Sequence, residues 1–210
     1  MRVERLVSPR LEHLTALSKL HVRAFPGFFL SSLGERFLNL LYKSYIEAED
    51  CACFASFRET DGEVEIIGSI VVISKPAYFY KSIFRANGLR FAVYAIPSLL
   101  KNTLTVAKKL FSAVFYRGDA DHDPEFSDAG LIASICVSPD AQGLGVGREM
   151  LKYAEGWAAD RKLNAVFLLT DKDHNDAVNL FYVKNGYELN SVLKKSGGRL
   201  MNRYIKFFKG

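Results

Sequence analysis

Ser134-Ile-Cys-Val-Ser-Pro-Asp-Ala-Gln-Gly-Leu-Gly-Val-Gly-Arg148 passes from strand-forming residues through a glycine-rich turn into a helix, whose apolar positions Val146, Met150, Ala154 and Trp157 share one face. Gly143, Gly145 and Gly147 stand at alternate positions, so the backbone can approach a bulky anion and aim several amides at one spot. The unpaired amides and the dipole of a helix start favour negative charge there. Residues Gln142, Gly143, Leu144, Gly145, Val146, Gly147 and Arg148 therefore read as a phosphate cradle. Spacing excludes two other phosphate loops. A nucleoside triphosphatase loop ends in Gly-Lys followed by Ser or Thr, whereas Gly147 precedes Arg148-Glu149. A dinucleotide loop sets its third glycine three places after the second, and here the spacing is even.

Outward from the cradle, residues 131–137 and 165–170 read as apolar strands. A second block follows: Asn175-Asp-Ala-Val-Asn-Leu-Phe-Tyr-Val-Lys-Asn-Gly-Tyr187. Together the two blocks resemble the signatures of the GNAT superfamily of acetyl-coenzyme A dependent N-acetyltransferases. Gln142, Gly145 and Gly147 match its Gln/Arg-x-x-Gly-x-Gly/Ala loop, with Val137-Ser-Pro139 ahead of it. Asn175, Tyr182, Gly186 and Tyr187 match its Asn-(x)6-Tyr-(x)3-Gly-Phe/Tyr block. The resemblance is loose over residues 3–74 and close over residues 131–208. It implies a mixed α/β fold: a mostly antiparallel central sheet with one splayed parallel strand pair, helices on both faces, and a helical insertion after the third strand. Residues 1–210 are then one domain, with the insertion at about 77–117.

The resemblance also implies a chemistry. A primary amine attacks the thioester carbonyl of acetyl-coenzyme A directly, a backbone amide of the splayed strand holds the oxyanion, and coenzyme A departs as a thiolate. The backbone of Ile135, Cys136 and Val137 is thereby assigned to the pantetheine arm and the oxyanion, Tyr182 to the proton for the thiolate, and Asn175 to a cofactor hydrogen bond. Asn175 equally stands where a residue caps the helix it begins, and Tyr182 taken alone reads as a core tyrosine. Many relatives carry a Glu on the splayed strand where this chain has Ser134. No general base is legible; Asp171, His174, Glu35, His21 and His122 are the candidates.

Upstream, residues 3–7 read as a strand, and Leu11, Leu14, Leu17, Leu20 and Ala24 as one face of a helix ending before Pro26. Ser31 or Ser32 is placed to cap a second helix with Phe37, Leu40, Leu41, Tyr45 and Ile46 on its buried face. Residues 51–58 and 64–74 form a hairpin about Thr60-Asp-Gly62. Residues 77–116 are helical and aromatic, and Pro97 divides them into 78–95 and 98–116. Residues 119–128 make an acidic turn.

Charge is unevenly spread: residues 66–118 hold eight Lys or Arg and not one Asp or Glu, so the net charge of +5 belongs to that segment. Its longest apolar run, residues 91–100, is about half the length needed to span a bilayer. Basic residues interleaved with bulky apolar ones do not read as a nucleic-acid surface. With residues 25–33 the segment suits a small-molecule amine acceptor of anionic character, such as a nucleotide- or lipid-linked amino sugar. It also suits a hairpin packed on the core or on a second subunit as a homodimer, and after that a peripheral contact with an anionic membrane. A protein or another small amine as acceptor, and a non-catalytic acyl-coenzyme A binding module, stay open beside these. Charges within the first 25 residues exclude a signal peptide, and three cysteines are too few for a disulfide scaffold, so a cytoplasmic location is expected. Cys51 and Cys53 share one strand face with no partners for a zinc site, and no metal is expected.

Overall fold

A computed structural model describes residues 1–101, 126, 128–195 and 198–208. Its sheet has seven strands in the order β1-β2-β3-β4-β5-β7-β6. These are β1 (Arg2–Leu6), β2 (Cys51–Thr60), β3 (Glu63–Ile73), β4 (Ala129–Val137), β5 (Ala165–Asp171), β6 (Glu188–Lys194) and β7 (Leu200–Phe207). The helices are α1 (Leu11–Ala24), α2 (Phe29–Ser32), α3 (Glu35–Glu47), α4 (Pro76–Lys101), α5 (Val146–Asp160) and α6 (Asp176–Lys184). All neighbouring strands are antiparallel except β4 and β5, which run parallel. This is the expected mixed α/β arrangement.

Strand β2 shows why its sequence reads as an unbroken apolar run. Cys51, Cys53, Ala55 and Phe57 pack towards α1, α3 and α4, while Ala52 and Phe54 pack towards α5. A strand covered on both faces has no polar side to alternate with. All three cysteines are free and buried. The β2–β3 turn takes positive φ at both central residues, Asp61 (53°) and Gly62 (81°), the geometry that matches the twist of a two-residue hairpin.

Three expectations need correction. Neither Ser31 nor Ser32 caps α3: their hydroxyls donate to the carbonyls of Phe25 (2.7 Å) and Phe29 (2.6 Å), and α3 begins after Gly34 at φ 89°. The short α2 turn absorbs the polar residues that looked like a cap. Pro97 does not divide the helix, because α4 continues through it to Lys101. Proline removes one amide and frees the Val93 carbonyl, and both residues lie on the exposed side, where water can satisfy that carbonyl. Asn175 precedes α6 but its side chain makes no cap. Most of the second helical segment, 98–116, and of the acidic turn, 119–128, lies outside the described residues.

Helix α4 is held by aromatic contacts. Phe79 stacks on Tyr45 of α3 with ring centres 5.3 Å apart, and Phe91 meets Phe37 at 4.9 Å. Phe79, Ile83, Phe91 and Ala95 are buried along its inner face. Each fully buried Phe or Ile contributes roughly 2–3 kcal/mol of transfer free energy. The inner face is therefore anchored to the core.

Candidate active site

The parallel β4–β5 ladder is short. Ala129, Gly130 and Leu131 pair with Ala165, Val166 and Phe167, and there the pairing stops. Strand β4 continues to Val137 bonded only to β3, while β5 continues to Asp171 bonded only to β7. Between Val71 and Val72 the β3–β4 register shifts, so Ala133 has no opposite residue. Such a bulge bends a strand and strengthens its twist. The facing edges of β4 and β5 thus diverge, and the backbone of Ile135, Cys136 and Val137 is left with one open side.

The cradle lies where β4 ends. The Ser138 amide donates to the Ile67 carbonyl at 2.8 Å, one step beyond the Gly68–Val137 pair, and after it the chain leaves the sheet. Residues 139–141 then form one 3₁₀ turn. Gly143 (φ 79°) and Gly145 (φ 80°) take left-handed conformations, and α5 starts immediately after them. The first closed turn is Glu149 N–H to Gly145 O at 3.0 Å. Among the described residues, no backbone carbonyl lies in good hydrogen-bond geometry with the amides from Gly143 to Arg148. Backbone amides gathered at a helix start favour an anion. The residues predicted for the cradle are therefore brought together on one short segment.

Two glycines set how closely this segment packs. A Cβ on Gly68 of β3 would lie 2.7 Å from Val146 Cγ1, so only glycine lets the head of α5 rest on the sheet. A Cβ on Gly147 would meet the Phe181 ring at 3.2 Å, the contact that brings α6 against α5.

Tyr182 projects from α6 into the apolar layer that Ile135 and Val137 also join. Its ring packs among Phe181, Tyr187 and Tyr204 at 5.2–5.8 Å. Burial, with a smaller contribution from the nearby Cys136, raises its pKa above the ordinary phenol value, so the hydroxyl keeps its proton at neutral pH. Among the described residues that hydroxyl makes no hydrogen bond to the protein. Asn175 Nδ2 donates to Thr170 Oγ1 (2.8 Å) and to the Asp171 carbonyl (3.1 Å), so it ties the start of α6 to the end of β5.

On the other face of β4, Cys136 Sγ lies 3.8 Å from His21 Nδ1, 3.8 Å from the Tyr42 hydroxyl and 3.5 Å from Ser134 Oγ. His21 and Tyr42 are hydrogen-bonded at 3.1 Å. Burial pulls the His21 pKa down to about 4, so its imidazole is neutral at pH 7. The remaining base candidates scatter. Asp171 is held by both Nε and Nη2 of Arg199, the latter at 2.7 Å. His174 and Glu35 are exposed, and His122 lies outside the described residues. The Arg199 guanidinium also sits 5.9 Å from the centre of the Phe28 ring, which brings the β6–β7 turn to the loop after α1.

Two groups escaped sequence reading. Asp140, just before the cradle, accepts from Arg23 Nη2 (3.0 Å) and Arg58 Nη2 (2.7 Å), and both arginines also pair with Glu65 (3.5 and 2.9 Å). This closed ring of alternating charge fastens the loop to α1, β2 and β3, and it holds the Asp140 carboxyl well below the usual carboxylate range, chiefly through Ser138 and Arg58. Its members are far apart in sequence, so no local pattern announces them. The second is Asn179, which donates to the Asp171 carbonyl (3.1 Å) and accepts from Asn202 (2.9 Å). The Asn175/Asn179 spacing of one helical turn was its available signal. No three His, Cys, Asp or Glu side chains among the described residues are grouped to hold a metal.

Comparison with known proteins agrees with this geometry. No curated protein sequence matches the chain. Solved structures share the fold: an aminoglycoside 6'-N-acetyltransferase complexed with coenzyme A superposes with TM-score 0.62 at 13% identity, over 100% of this chain and 98% of that one. A GNAT-family acetyltransferase structure from Desulfovibrio desulfuricans gives 0.61 at 13% identity, over 98% of each chain. A spermidine N-acetyltransferase from Vibrio cholerae gives 0.57 at 13% identity, over 99% and 95%. The sequence profile of the acetyltransferase (GNAT) family matches residues 14–187, a span containing the cradle, the diverging strands and Tyr182, and the chain belongs to that family of acetyl-coenzyme A dependent acetyltransferases.

Proposed function

We propose that this enzyme transfers acetyl from acetyl-coenzyme A to the primary amine of a small molecule, with an amino sugar as the leading acceptor class. The observation that carries the reading is the run of backbone amides from Gly143 to Arg148 beside the open edge of β4. Acetyl-coenzyme A supplies the acetyl group as an activated thioester. Gln142, Gly143, Leu144, Gly145, Val146, Gly147 and Arg148 bind its pyrophosphate through their backbone and the α5 dipole. The open edge at Ile135, Cys136 and Val137 orients the pantetheine arm and presents fixed amide dipoles to the reacting carbonyl. Tyr182 keeps a proton in a dry setting and delivers it to the departing sulfur, while the proton lost by the attacking amine passes to water and the tyrosine is reprotonated from solvent. Asn175 is a positioning residue at the end of β5.

Aromatic residues support the sugar reading. Phe25 and Phe28 lie 5.4 Å apart at the end of α1, on the helical side of β4 that carries His21. Flat rings suit the apolar faces of sugars. The acid-free run of residues 66–118 favours an acceptor that carries phosphate. Among the structural neighbours, one enzyme acetylates an aminoglycoside and another spermidine. The test is a thiol-release assay with acetyl-coenzyme A against nucleotide-linked amino sugars, an aminoglycoside, spermidine and an amino-terminal peptide. Preference for the nucleotide-linked sugars supports the reading. Faster turnover of spermidine or peptide would replace the acceptor class, and release with none of these, despite tight cofactor binding, would favour a non-catalytic binding module.

A further inference from the structure

The outer face of α4 combines exposed apolar side chains with cations and carries no acid. Tyr78, Leu89, Val93 and Ile96 are exposed there at 65%, 80%, 49% and 47%. At 3.6 residues per turn, Tyr78, Arg85, Leu89, Ala92 and Ile96 fall on one line about 27 Å long. Lys81 and Val93 flank it. No Asp or Glu occurs on the helix. Lys81, Arg85 and Arg90 make no ion pair among the described residues. An open groove of about 300 Å³ among α1, α3 and α4 is lined by Leu14, Leu40, Tyr94, Arg36, Lys43 and Arg90. Lys43 is paired with Glu47, whereas Arg36 and Arg90 have no anionic partner among the described residues.

We propose that this face seats the protein on an anionic phospholipid bilayer, with Tyr78, Leu89, Val93 and Ile96 entering the headgroup boundary and Arg85, Arg90 and Arg36 meeting lipid phosphates. With its inner face taken by the core, the outer face of α4 offers apolar side chains to the headgroup boundary and cations to anionic lipid, the two contributions that interfacial binding sums. Its cations at Lys81, Arg85 and Arg90 suit lying on a bilayer, and no described helix is long and apolar enough to cross one. A symmetric contact with a second copy would set these cations against their own like charges. A nucleic acid would engage the cations and leave the aliphatic line in water. The inference does not depend on the acetyl-transfer reading, since it concerns the helical side of the sheet remote in sequence from the cradle.

The full-length protein is tested by flotation with vesicles of phosphatidylcholine alone and of phosphatidylcholine mixed with phosphatidylglycerol. The expected result is at least about tenfold stronger association with the mixed vesicles, weakened by salt. Leu89→Asp combined with Ile96→Asp, and separately Arg85→Glu combined with Arg90→Glu, should each reduce that association about tenfold or more. Both variants should bind acetyl-coenzyme A as the wild type does, which certifies their folding. Equal binding to both vesicles, no binding to either, or variants that bind like the wild type overturns the proposal. A dimer in sedimentation that Leu89→Asp dissociates would also overturn it, by giving the face to a second copy.

Discussion

Helices α5 and α4 both lay one face against the core, yet they differ on the side that faces water. The outer side of α5 mixes signs, with Arg148, Lys152 and Asp160 exposed and Glu149 paired to Lys152 at 2.9 Å. The outer side of α4 carries Tyr78, Leu89, Val93 and Ile96 among cations alone. A polar outer face makes the buried face of α5 legible, because Val146, Met150, Ala154 and Trp157 stand out against it. On α4 both sides are apolar, so periodicity identifies a helix without saying which side is inside. The start of α5 is set by backbone conformation at its glycines, and the outer face of α4 by the chemistry of its side chains.

The largest expected effect breaks the backbone side of that contrast. Gly145→Glu places a carboxylate and a Cβ at φ 80° in the cradle. Left-handed strain of roughly 1–2 kcal/mol adds to charge repulsion, and acetyl-coenzyme A affinity measured by calorimetry should fall by a factor of about 100 or more. Vesicle association through α4 should be unchanged. If cofactor affinity survives, the anion site lies elsewhere.

Next in size is Tyr182→Phe, which removes one hydroxyl from an otherwise apolar setting. It should lower kcat by about 10²-fold while cofactor affinity stays within about twofold. Equal losses in kcat and cofactor affinity would make Tyr182 a packing residue instead, and the proton source would then have to be water.

A pH experiment sharpens the comparison on the helical side. Burial holds the His21 pKa at about 4, below the ordinary imidazole value of 6.5. Between those values the unfolded chain binds a proton that the folded chain refuses, so stability falls as pH drops from 6.5 towards 4. His21→Gln should remove on the order of 2 kcal/mol of that fall at pH 5, read from denaturant midpoints. A variant with the wild-type pH slope would show that His21 is not the group responsible.

The smallest effect concerns the charged ring. Its members are half exposed, and single exposed pairs contribute little. Asp140→Asn should raise the KM for acetyl-coenzyme A about threefold, more at low salt than at high, with little change in kcat. A change in kcat without a change in KM would detach this ring from cofactor binding.

How much could be read in advance follows the same division. The strand, glycine turn and helix of residues 134–148 were legible because each choice is local: a positive φ asks for glycine, and a helix start leaves its amides unpaired. Tyr182 and Asn175 were located by the spacing of the second block, although the cap expected of Asn175 turned into a tie to β5. Pro97 was read as a break because a proline costs one helical bond, and the aromatic anchoring of α4 outweighs that cost.

By itself the sequence determined the family, the elements on either side of the glycine turn and the position of the basic surplus, since these depend on residues near one another along the chain, while α2 and the strands β6 and β7 had no clear local signal. Only the tertiary structure decided the divergence of β4 from β5 after Leu131, the ring joining Arg23, Arg58, Glu65 and Asp140, the meeting of His21, Tyr42 and Cys136, and the side of α4 turned to water. The physical reason is that each of these is a contact between segments tens of residues apart, whose partners are selected by packing and by charges brought together after folding, and local propensity carries no record of either.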